Sequence, residues 1–98
     1  MLTSKQRAYL RGLANKQPAV FQIGKGGISE AMLKELEAVL EKRELIKITV
    51  LETAFITPRS ACDEICAAIG AEGVLCIGNK LVIYKESKDN KQIELPKN

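Results

Sequence analysis

The sequence predicts an α/β (α+β) domain in the order α-β-α-β-α-β-β, folded as two or three layers around a four-stranded mixed sheet. Three observations predict it. Apolar residues recur at helical spacing in three segments, and short strand-like runs lie between and after them. Ser, Thr, Pro and Gly stand at the boundaries where caps and turns need them. The length of 98 residues, 46% hydrophobic and 28% charged, suits one globular domain. Strands joined through helices tend to run parallel and a terminal hairpin is antiparallel, so the sheet is mixed.

The first helix spans about Ser4 to Asn15, capped by Thr3 or Ser4, with Tyr9, Leu10 and Leu13 as its apolar stripe. Arg7 and Arg11 are four apart and share a face turned away from that stripe. After Pro18, Ala19 to Ile23 reads as a strand, broken by Gly24-Lys25-Gly26-Gly27. The second helix, Glu30 to Arg43, has Ser29 as cap, an Ile28–Leu33 staple, and Lys42 and Arg43 in its last turn. Leu45 to Leu51 is a strand with Ile46, Ile48 and Val50 on one face and Lys47 and Thr49 on the other. Thr57-Pro58 opens a third helix that Gly70 ends. Val74 to Ile77 and Leu81 to Lys85 form a hairpin about Gly78-Asn79. Residues 2–86 form the core, and 87–98 a loose polar tail with Ile93 and Leu95 available as anchors.

Composition narrows the function. Histidine is absent and Asp occurs only at Asp63 and Asp89, which removes imidazole chemistry and the common metal sites. No nucleophile-elbow, zinc-protease or P-loop pattern occurs, so neither catalysis nor a cofactor is expected. The three cysteines, Cys62, Cys66 and Cys76, form no disulfide framework and read as small buried hydrophobes. No apolar run approaches the ~18 residues of a membrane span, and no secretory leader is visible. A cytoplasmic monomer without membrane or small-molecule partners is the expectation.

Charge is distributed unevenly. Residues 1–27 carry Lys5, Arg7, Arg11, Lys16 and Lys25 and no acid, in a chain whose net charge is only +3. Such a basic opening quarter suits a polyanion, although a solvated helix face has the same composition. The glycine loop bears on this choice. Between a strand and a helix, glycines let the backbone approach an anion while helical N–H groups face it, and Lys25 adds a full charge. Three readings remain open for the loop. It begins like a dinucleotide G-x-G-x-x-G but has Ser29 in the third glycine's place. It can be a tight turn and nothing more. Or it is a G-x-x-G clamp on an RNA backbone, as in KH domains, where the loop instead joins two helices.

Several segments together resemble a known family: Leu2-Thr3-Ser4-Lys5-Gln6-Arg7, Leu10-Arg11-Gly12-Leu13-Ala14, Gly24-Lys25-Gly26-Gly27, Glu44-Leu45-Ile46-Lys47 and Ile77-Gly78-Asn79-Lys80-Leu81-Val82-Ile83-Tyr84. In this order they look like the CRM domain in its stand-alone bacterial, YhbY-type form. The resemblance implies an RNA-binding module related in fold to the C-terminal domain of translation initiation factor three. It also implies ribosomal RNA in precursors of the large subunit as partner, and a role in ribosome assembly.

The expected interface is one basic surface made by the first helix and the glycine loop. Lys5, Arg7 and Arg11 contact phosphates, Gly24, Gly26 and Gly27 allow close backbone approach, and Lys25 adds a phosphate contact. Lys80 and Lys85 extend the track, with Arg59 a further candidate, while Tyr84 is expected to pack on the sheet. With four aromatic residues in the chain, recognition of backbone and shape is favoured over a stacking platform. A protein-binding adaptor, a small nucleotide-binding module and a DNA-binding protein remain alternatives that use the same loop.

Overall fold

A computed structural model describes residues 2–97. Helix α1 (Ser4–Ala14) is followed by β1 (Phe21–Ile23), α2 (Glu30–Arg43), β2 (Leu45–Val50), a 3-10 turn (Glu52–Ala54), α3 (Pro58–Ile69), β3 (Glu72–Ile77) and β4 (Lys80–Tyr84). The strands line up as β1-β2-β4-β3; β1 runs parallel to β2, and β4 is antiparallel to both its neighbours. The α-β-α-β-α-β-β order and the mixed sheet are therefore those the sequence predicts. Strand β4 inserts between two strands that the α3 connection leaves parallel.

Alternation along β2 builds three layers. Ile46, Ile48 and Val50 face α2 and α3, where Leu36, Leu40, Ala61 and Ile65 complete the larger core. Leu45 faces the other way and joins Val82, Tyr84, Val74, Leu10 and Ala14 beneath α1. A shift of register between Gly73 and Leu75 bulges β3, so Val74 and Leu75 both serve the α1 side. Gly73 turns to the opposite side, where a Cβ would stand 3.0 Å from Cys62 Sγ. Any larger residue there would push on the Cys62 side chain of α3.

Local signals set the boundaries. Thr3 and Gln6 form a reciprocal capping box on α1; Ser29 and Thr57 accept from Met32 and Ser60 to cap α2 and α3. Gly70 ends α3 at φ +70, and Gly78 opens the hairpin at φ +59. Three expectations need correction. Strand β1 begins at Phe21, because Ala19 and Val20 only approach the sheet, through one bond from Val20 N–H to the Lys47 carbonyl at 3.0 Å. Tyr9 is 43% exposed, since Leu2 and Ala14 complete the stripe that α1 buries.

The third concerns the tail, which is not loose. Glu44, the left-handed residue that ends α2, is fully buried, and its carboxylate accepts from the N–H groups of Ser87, Gln92 and Ile93 at 2.8, 2.6 and 2.7 Å. One turn earlier, Glu41 accepts from the Ser87 hydroxyl at 2.6 Å and from the Lys88 and Asp89 amides at 3.0 and 3.1 Å. Ile93 and Leu95 then pack under α1, and Gln6 Nε2 donates to the Pro96 carbonyl at 3.1 Å. Burial pushes the Glu44 carboxyl up, but the three amide donors outweigh it and hold the pKa below the usual range. Glu41 is lowered to about 2, first by the Ser87 hydroxyl and then by the two amides. The tail is a strap tied to two carboxylates.

Candidate nucleic-acid interface

The register puts three connections at one end of the sheet. Ile23 pairs with Val50, and the Leu51 N–H donates to the Ile23 carbonyl at 2.8 Å, so the glycine loop leaves beside the end of β2. On the other flank the Val50 N–H donates to the Asn79 carbonyl at 2.7 Å, which brings the β3–β4 hairpin to the same level. The segment from Leu51 to Thr57 lies between them and opens α3.

Within the loop the glycines differ. The Gly27 N–H donates to the Gly24 carbonyl at 2.9 Å, closing a four-residue turn, and Gly27 takes φ +67. A Cβ at Gly24 would reach Leu51 Cδ1 and Thr53 Oγ1 at 3.6 and 3.8 Å, ordinary contacts. At Gly26 it would meet nothing within 4 Å. The backbone angle therefore requires glycine at Gly27, whereas Gly26 and Lys25 form an exposed, uncovered tip. Ser29 then caps α2, whose dipole adds positive potential on the loop side.

The basic residues fall into two groups and one exception. Lys25 sits on the loop, and Lys80 pairs with Thr49 on the sheet face that also carries Lys47 and Gln22, at the loop end. Lys5, Arg7 and Arg11 lie on α1, with Lys5 and Arg11 exposed. Arg7 is half-buried, not turned fully outward; its Nε donates to the Gly73 carbonyl at 3.2 Å, on the far edge strand. Three strand spacings of about 4.8 Å and some five residues along the strands put that point about 20 Å from the glycine loop. Arg7 and the loop do not share a single pocket.

Lys85 is the exception. Its Nζ donates to the Ile69 carbonyl at 2.8 Å, at the C-terminus of α3, and lies 3.8 Å from Glu37. That position is at the opposite end of the sheet from the loop, where a cation favours the helix dipole. Tyr84 packs in the core under α1, as expected, and burial raises its hydroxyl pKa. Among the described residues only Lys85 and Lys91 form ion pairs, so the other cations named here lack acidic partners.

The cysteines behave as packing residues. Cys62 is buried, with its thiol 4.0 Å from Cys66, an interaction that with burial pushes the Cys62 thiol up. Cys76 is raised to about 11 by burial. No cluster suited to a metal ion occurs among the described residues. No helix among them is long and apolar enough to cross a membrane.

The uncovered glycine turn thus lies beside a lysine-bearing sheet face, and the sequence around it has relatives. Residues 2–85 match the CRS1 / YhbY (CRM) domain. The chain belongs to the CRM domain family. Relatives of this CRM protein include "Probable RNA-binding protein YqeI" of Bacillus subtilis, 44% identical over 98% of this chain and 100% of the relative. A Haemophilus influenzae protein named "RNA-binding protein" is 35% identical over 98% of this chain and 96% of its own length. The solution structure of SAV1595 from Staphylococcus aureus, described as a candidate RNA-binding protein, superposes with a TM-score of 0.77 at 46% identity. That match covers 98% of this chain and all of that one.

Sequence reasoning missed two features of this surface. Phe55, beside the hairpin, is 92% exposed. The Leu51–Thr57 segment that holds it has no periodicity to announce it. The roughly 20 Å between Arg7 and the loop follows from strand order, which local patterns do not encode.

Proposed function

We propose that the chain binds RNA, and that its substrate is ribosomal RNA in precursors of the large ribosomal subunit, where it assists assembly in the cytoplasm without catalysing a reaction. The uncovered tip at Lys25 and Gly26 carries this reading, supported by the printed names of the family relatives. RNA contacts two stations. The first is the glycine loop with Gly24, Lys25, Gly26, Gly27 and Lys80. The second is α1 with Lys5, Arg7 and Arg11. The roughly 20 Å between the loop and the point where Arg7 is held can be bridged by phosphates from separate strands of a folded RNA. Lys85, held by α3, takes no part.

Five phosphate contacts, from Lys5, Arg7, Arg11, Lys25 and Lys80, give a log–log salt slope of roughly −3.5 at about −0.7 per contact. Lys25→Glu with Lys80→Glu removes the first station's charge, and the slope should become shallower by about 1.4. Filter binding to a ribosomal RNA fragment against matched DNA reads both slope and polymer preference. Sedimentation of extract on a sucrose gradient places the protein: it should travel with immature large subunits and leave them in high salt. An unchanged slope in the double variant sinks the loop as an RNA contact.

A further inference from the structure

Phe55 follows the 3-10 turn with φ 54 and ψ 31, the left-handed region that bulky side chains avoid and glycine accepts. Such a conformation is ordinarily retained where packing holds the side chain. Here the ring is 92% exposed and belongs to neither core cluster. The fold would be served as well by glycine, so the ring is held outward at a conformational disadvantage. Strained residues of this kind concentrate at binding sites.

The surroundings indicate the ligand. Phe55 shares a shallow recess with Ile56, Pro58, Gly78 and Asn79. Leu51 and Thr53, in the same segment, stand against Gly24, so the recess adjoins the glycine loop. Lys25 and Lys80 border this end without acidic partners among the described residues, whereas Arg59 lines a separate recess with Arg7, Asp63 and Cys76. Glu52, within the recess, repels phosphate from the ring itself and leaves room for an uncharged group. The large hydrophobics most exposed at this end, Phe55 and Ile77, together fall far below the roughly 800 Å² per partner of a protein interface. One flat ring with lysines beside it matches a base with its neighbouring phosphates in a nucleic acid.

We propose that Phe55 is a stacking platform for one unpaired RNA base whose backbone crosses the glycine loop, with the exposed Asn79 amide at the rim to meet the base edge. This rests on the RNA reading above and adds a contact to a base, where that reading had contacts only to the backbone.

The test uses the full chain and two RNAs, a hairpin with an unpaired loop and a fully paired duplex of matched length. Phe55→Gly should weaken hairpin binding roughly 5- to 150-fold, the range of one base–aromatic stack. The salt slope and duplex affinity should stay unchanged. Phe55→Tyr should retain affinity. The thermal midpoint of Phe55→Gly should be equal or higher, since glycine relieves the backbone, which separates lost contact from lost folding. The chain has no tryptophan, so Phe55→Trp supplies a single fluorophore that a stacked base quenches. Equal affinity of wild type and Phe55→Gly for the hairpin overturns the platform and leaves the RNA reading standing. A wild type that binds neither RNA overturns both. Concentration-dependent dimerisation that Phe55→Gly abolishes overturns the platform in favour of a second copy of the chain.

Discussion

Among the described residues two other than glycine adopt positive φ, and they stand at opposite ends of β2: Glu44 at φ 65 just before it and Phe55 at φ 54 soon after. Glu44 is fully buried, and three amides of the tail converge on its carboxylate. Phe55 is almost fully exposed and its ring joins neither core. The same backbone conformation is thus offset inside the molecule at one end and left open at the other. The strapped end is closed by the chain itself, and the open end leaves its ring uncovered.

The largest test of this contrast is Glu44→Ala. It leaves three amides without their acceptor in a buried site, and should destabilise the fold by about 3 kcal/mol, read by urea denaturation. RNA affinity under folding conditions should not change. If affinity falls with stability, the two ends are not separate in function. The loop glycines sharpen the same division. Gly27→Ala should cost about 1 kcal/mol of stability through its φ of +67. At Gly26 a Cβ meets open space, so Gly26→Ala should leave stability unaltered while weakening RNA binding. Equal behaviour of the two variants in both assays contradicts the uncovered tip.

Acid should act on the strapped end first. Glu41 and Glu44 both have pKa values lowered in the fold, so their contribution is fully present above the ordinary carboxylate value of 4.5 and fades as pH falls. For Glu41 the window runs from 4.5 down to about 2. Protection factors at the Lys88 and Asp89 amides, taken against the intrinsic exchange rate at each pH, should fall across that interval while those of β2 and β4 hold. The smallest effect is expected at Lys85. Lys85→Met removes one half-exposed helix-end contact, about 0.5 kcal/mol, and should leave the RNA salt slope intact. A shallower slope would return Lys85 to the interface.

Much of the scaffold was legible because its signals are local. Ser29 with the Ile28–Leu33 staple, Thr57-Pro58, Gly70 and Gly78 each mark a boundary through their own backbone chemistry, and α2 and α3 lie where these residues put them. The strap was not legible. Glu41 and Glu44 look like solvated helix residues until the tail, more than forty positions away, supplies donors. For the same reason the basic first helix and the glycine loop read as neighbours in the sequence, while the order β1-β2-β4-β3 sends Arg7 to the far edge. Phe55 was hidden differently: nothing in an irregular segment distinguishes a displayed ring from a packed one.

The edges of the sheet have a consequence for life at high protein concentration. One rim, β1, is three residues long. The other, β3, is kinked by its bulge and has the Gly73 carbonyl already occupied by the Arg7 guanidinium. Neither offers the long flat ladder on which further chains assemble into fibrils. Replacing Arg7 therefore threatens solubility as well as recognition, and a binding defect in such a variant must be separated from aggregation before it is interpreted.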